Sequence, residues 1–110
     1  MNAIHRSSAE ILSTPRGTEG RKLHETGHVQ VIHLALQPGE TLPRHSAPVD
    51  AFFYVLEGSG VVEIGDESME AGEGTLIASA GGSMHLWRNT SAVPLRILVV
   101  KTPSPQRPKA

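Results

Sequence analysis

Two histidines carry the chemistry this chain offers. His45 lies in the stretch from Gly39 to Gly58, GETLPRHSAPVDAFFYVLEG, and His85 in the stretch from Gly74 to Asn89, GTLIASAGGSMHLWRN. Each sits near a glycine turn and beside a run of alternating apolar residues, the pattern of a half-buried strand. An inward-facing imidazole on such a strand can ligate Zn²⁺, Ni²⁺ or Fe²⁺, or it can hydrogen-bond a neighbour or a water in a small polar pocket. Burying it without a partner costs free energy, and apolar side chains could have filled both positions instead. Competing motifs are poor. No Ser/His/Asp constellation has a nucleophile elbow, and Gly58-Ser59-Gly60 lacks the length and context of a phosphate loop.

The two stretches resemble the paired motifs of the cupin superfamily. The family's first motif is Gly, five residues, His-x-His, three or four residues, Glu, six residues, Gly. Its second is Gly, five residues, Pro-x-Gly, two residues, His, three residues, Asn. Gly39, His45 and Gly58 match the first, and Gly74, Gly82, His85 and Asn89 match the second. Ala47 stands where the second histidine belongs, Ala51 where the glutamate belongs, and Ala80 in place of the proline. The resemblance implies an all-β cupin jelly-roll β-barrel in which His45 and His85 converge from neighbouring strands, with the methyls of Ala47 and Ala51 in place of two ligands. A divalent metal (Zn, Ni or Fe) is then expected to be held weakly or not at all, because a protein metal site needs three or four side-chain ligands. Asp50, beside the lost glutamate position, is a candidate rescue ligand if a bulge near Pro48-Val49 turns it inward; simple alternation turns it outward.

The elements that must position these residues are short strands. Eleven glycines and eight prolines in 110 residues mark frequent turns, and no segment shows convincing helical periodicity. Residues 1–27 read as an irregular N-terminal segment in which Ile4, Ile11 and Leu12 could form an edge strand, residues 28–101 as the barrel, and residues 102–110 as a proline-rich tail, disordered or extended. Within the barrel, HVQVIHLALQ, Leu42 to Ser46, Ala51 to Leu56, Val61 to Ile64, Ser68 to Ala71, Thr75 to Ser79, Met84 to Arg88 and Leu95 to Lys101 read as strands. Gly65-Asp66-Glu67 carries a hairpin signal.

Alternation assigns the pocket. Phe53, Val55, Met84, Trp87, Ile97 and Val99 are candidate walls, with Ala47 and Ala51 beside them. Gln30, Ile32 and His28 share one parity and reach the rim. His33 is out of phase and faces outward or onto a subunit contact. Arg44 could steer an anion at the mouth or be a solvated edge residue. Phe52, Tyr54, Leu86 and Leu98 form an opposite apolar face, which a homodimer or a covering N-terminal strand would bury.

Composition sets the remaining bounds. A net charge of -1 argues against nucleic acid or an acidic membrane as partner. Cysteine is absent, which excludes disulfides and thiolate chemistry. No apolar stretch is long enough to span a bilayer, and the N-terminus lacks the apolar core of a secretory signal, so a soluble cytoplasmic protein is expected. The reading is a small-molecule-binding barrel with a weakened or vestigial metal site. Its alternatives are a metal-dependent enzyme of dioxygenase or isomerase type with an irregular ligand set, and a non-catalytic dimerisation or interaction barrel.

Overall fold

Alternating apolar and polar residues with glycine turns favour paired strands over helices, and the computed structural model, which describes residues 1–14 and 18–105, is built almost wholly from them. Among the described residues the strands are β1 (Glu10–Leu12), β2 (Glu19–Glu25), β3 (Gln30–Leu36), β4 (Thr41–Ser46), β5 (Asp50–Glu57), β6 (Ser59–Ile64), β7 (Glu67–Gly72), β8 (Leu76–Ser79), β9 (Met84–Asn89) and β10 (Leu95–Thr102). The only helical element among them is a 3₁₀ turn at Arg6–Ser8. One sheet has the order β1-β2-β3-β10-β5-β8 and the other β4-β9-β6-β7. Every pairing is antiparallel, and the two sheets form the jelly roll.

The core lies between them. Along β10, Leu95, Ile97 and Val99 are buried while the residues between them are partly exposed. Leu36, Val55, Trp87, Leu95 and Ile97 have no exposed surface, and Phe53 is almost as deeply buried. Burying each large apolar side chain contributes about 1.5–3 kcal/mol. Phe53 meets Trp87 edge-on, with ring centroids 5.8 Å apart, a favoured aromatic geometry.

Motif residues fix the crossings between sheets. Gly58 joins β5 to β6 at φ +81, and a Cβ there would stand 2.7 Å from the Pro94 carbonyl oxygen. At Gly60 a Cβ would come within 2.5 Å of the Arg88 carbonyl oxygen. Asn89 works as a brace. Its Nδ2 donates to the carbonyls of Leu36 and Val93, and its Oδ1 accepts from the Ser91 backbone N–H.

Three features depart from the sequence reading. Residues 19–25 form a full strand, β2, between β1 and β3, where an irregular segment was expected; its polar sequence EGRKLHE hides the pairing. The proline-rich segment is anchored at its start. Thr102 ends β10, and Ser104 is buried and donates to Glu25; residues 106–110 lie outside the described part. Met84 is 41% exposed, because the inward face of β9 is made by His85, Trp87 and Asn89. It is therefore no wall of the pocket.

Candidate functional site

The position of His45 depends on an irregularity in β4. Leu42 pairs with Trp87 and His45 with His85, so β4 spends three steps where β9 spends two. The extra residue is a bulge around Pro43 and Arg44. Proline has no N–H to donate and is tolerated in sheets chiefly at edges and bulges; β4 is an edge strand. Without the bulge, alternation from buried Leu42 would aim Arg44 inward. With it, Arg44 faces outward and pairs with Glu63 on β6, while His45 turns in.

The two imidazoles meet directly. His85 Nε2 and His45 Nε2 lie 3.1 Å apart, and the rings stand edge to face with centroids 4.3 Å apart. His45 Nδ1 is 2.8 Å from the Pro43 carbonyl oxygen. A carbonyl only accepts, so His45 carries its proton on Nδ1 and offers a lone pair at Nε2. His85 must then donate from Nε2, which leaves its buried Nδ1 as an acceptor with no hydrogen-bond partner. Burial, then the neighbouring His45 and Lys101, lower the His85 pKa to about 4, with the Ser83 backbone acting weakly the other way. His85 is therefore neutral near pH 7.

This pair forms part of the wall of a cavity of about 310 Å³ between the sheets, at the lower end of the range for small-molecule sites. Its apolar lining comes from Ile32, Leu34, Leu42, Phe53 and Val99, and its polar lining adds Gln30 and Lys101. Leu12, Ser13, Thr14 and Pro105, from opposite ends of the chain, also border it. Gln30 is held by its side-chain N–H donated to Glu25, and Glu25 is also engaged by Lys22 and Ser104. Another hollow, of about 150 Å³ beside Glu67, has no histidine in its lining.

Of the residues singled out from sequence, His45, His85, Gln30, Ile32, Phe53 and Val99 come together around this cavity. Ala47 and Ala51 are buried, but they do not line it. Trp87 and Ile97 lie in the sealed core instead of the cavity wall, because alternation marks the inward face without saying how deep a residue sits. His28 is exposed and off the rim. His33 does face away from the core on β3, yet it is 2% exposed and accepts from Arg96 Nε. Burial, then Arg96, push its pKa down.

Asp50 corrects the rescue expectation. It is exposed, and its carboxylate accepts from the Gly81 backbone N–H at 2.8 Å. There it pins the loop before β9 and is not a third ligand. Among the described residues no three of His, Cys, Asp or Glu group as a metal-holding set. Two nitrogens 3.1 Å apart could both reach one ion at about 2.1 Å, but alanine methyls stand at the other two motif positions and no carboxylate balances the charge. The residues present do not fit a tightly held divalent ion.

Sequence reasoning missed Lys101. It follows Ile97 and Val99 on the inward parity of β10 and pairs in register with Ala51 on β5. Cross-strand partners lie about 5 Å apart at Cβ. Burial holds its pKa below the ordinary lysine value. The parity signal was present in the sequence, but Lys101 reads there as the polar stop of a strand.

Fold and motifs together define the class. Residues 32–101 match the Cupin domain family, and the chain belongs to that family. It is 31% identical over 78 residues to the tetracenomycin polyketide synthase protein TcmJ of Streptomyces glaucescens, a match covering 70% of this chain and 52% of TcmJ. The match thus spans about half of that relative. The TT1209 structure from Thermus thermophilus superimposes with a TM-score of 0.74 at 30% identity, covering 82% of this chain and 87% of that one. The polyketide cyclase RemF of Streptomyces resistomycificus shares the fold, with a TM-score of 0.80 at 24% identity over 94% of this chain and 80% of RemF. Among the described residues, no helix is long and apolar enough to cross a membrane.

Proposed function

We propose that this chain is a small-molecule-binding cupin barrel whose metal site is vestigial, the His45–His85 pair being kept as a hydrogen-bonding wall. The observation that carries this reading is the cavity of about 310 Å³ with an unpartnered buried acceptor, His85 Nδ1, nearby. Pockets of this kind combine an apolar lining with a few placed polar groups. The names of TcmJ, a polyketide synthase protein, and RemF, a polyketide cyclase, fit a small organic ligand better than a macromolecule. A metal-dependent dioxygenase or isomerase has less support, because its ligand set is half missing. The test is a fragment screen by saturation-transfer NMR on the wild type and on Val99→Trp, which fills the cavity. Binders should appear with the wild type and vanish with the folded variant. Binders that survive Val99→Trp, or none at all with the wild type, would count against the reading.

A second copy would complete the barrel's outside. Tyr54 and Leu56 on β5 are 38% and 37% exposed, and Leu76 on edge strand β8 is 56% exposed. Tyr54 pairs in register with both Leu76 and Leu98, so these side chains form one apolar outer face, the kind of surface that marks an interface. Sedimentation equilibrium should show a dimer at micromolar concentration, and Tyr54→Lys/Leu76→Lys should shift it to monomer. A monomeric wild type would refute this.

A further inference from the structure

We propose that the cavity selects a small organic anion, a carboxylate on an apolar body, and that the Lys101 ammonium is its counter-charge. The inference rests on the reading of this cavity as a small-molecule site and names the ligand class it takes.

Three observations carry it. First, no aspartate or glutamate among the described residues lines the cavity, whereas Lys101 does. Second, the Lys101 ammonium has neither a hydrogen bond nor an ion pair among the described residues. Glu25, the carboxylate that holds Gln30 of the same lining, is taken up by Lys22, Gln30 and Ser104. Lys101 is half-buried, so its ammonium has lost part of its water without gaining a counter-ion, which is costly, and a bound carboxylate would supply that partner. Third, Lys101 stands across from Ala51, the position at which the family pattern puts a negatively charged metal ligand. The local charge is thereby reversed: where a carboxylate would draw a cation in, an ammonium repels a divalent ion and draws an anion. Burial depresses the lysine pKa, and a carboxylate beside it would raise that value again.

The rest of the cavity suits such a ligand. Ile32, Leu34, Phe53 and Val99 would take its apolar body, and Gln30 adds a further polar group to the wall.

The probes are matched pairs: benzoate, cinnamate and hexanoate, each with its primary amide, titrated calorimetrically into wild type, Lys101→Met and Lys101→Arg. At least one carboxylate should bind the wild type about tenfold or more tighter than its amide, the scale of one charge-assisted hydrogen bond. Lys101→Met should reduce that preference to within about twofold, the carboxylate losing more affinity than its amide, and Lys101→Arg should keep part of it. Amides binding as well as carboxylates would leave the small-molecule reading standing and overturn the anion inference. So would a carboxylate preference untouched in Lys101→Met, or an aldehyde that borohydride traps on Lys101 without any preference for anions. If neither member of any pair binds the wild type, the anion inference fails, and the fragment screen alone decides the small-molecule reading.

Discussion

Zn²⁺ or Ni²⁺ titrated into Ala47→His/Ala51→Glu is expected to bind at least about a hundredfold more tightly than to the wild type, since changes in ligand support alone alter metal affinity by about 10–100-fold. His45 and His85 already present two Nε2 atoms 3.1 Å apart; the substitutions restore the imidazole and carboxylate missing from the motif. Both alanines are buried, at 7% and 4% exposure, so the metal-free variant should lose about 1–3 kcal/mol to overpacking. Metal then stabilises it by mass action. At a concentration of about 100 times the dissociation constant the gain is about 2.7 kcal/mol, roughly 10–20 °C in melting temperature for a domain of this size. Lys101 should oppose the new site, because it lies across from position 51 and competes for the introduced carboxylate. Adding Lys101→Met should therefore tighten metal binding further. A double variant that gains no affinity would show that the barrel does not place positions 47 and 51 around the histidine pair.

The other large effect is acid sensitivity. The folded protein lowers the His85 pKa from 6.5 to about 4, so between those values the unfolded chain binds a proton that the native state refuses. Stability from this group is complete above about pH 6.5, falls as pH drops through the window, and is gone below about pH 4. The difference corresponds to about 3 kcal/mol, a large share of the roughly 5–15 kcal/mol available to a domain. His33, whose pKa is also lowered, adds to the loss with the same sign. Urea unfolding at pH 7.5 and pH 4.5 should show the wild type losing markedly more stability than His85→Leu, which cannot take up that proton. Carboxylates titrate near the acid end in both proteins, so the difference between them is the readout. Equal losses would mean that His85 reaches solvent or keeps its proton in the fold.

The barrel was legible in the chain because glycine spacing and apolar alternation are local signals. His45 and His85 could be paired from their motifs alone, and the outward turn of His33 followed from its phase beside Ile32 and Leu34. What escaped has a physical reason in each case. β2 is polar and is held by pairing with β3 and β1, which its composition does not announce. Trp87 and Ile97 share the inward face with true cavity residues but sit deeper, and depth depends on how two sheets close on each other. Asp50 was assigned from its nearness to Ala51, while its actual partner, Gly81, lies 31 residues further along. Lys101 acquires meaning only once β10 is laid against β5.

The bulge at Pro43 makes the site a matter of counting. A relative that lost one residue between Leu42 and His45 would keep both flanking pairings on a straight strand, with Leu42 and His45 still on the inward face. A relative that kept the count but paired without the bulge would instead turn Arg44 inward in place of His45. Substitution and register are thus unequal routes of change at this edge. Point changes can retune the wall one group at a time. A register slip would move every side chain beyond it to the other face at once. Sequence comparisons within such barrels should therefore be aligned on the length of this segment before any residue in it is equated with another.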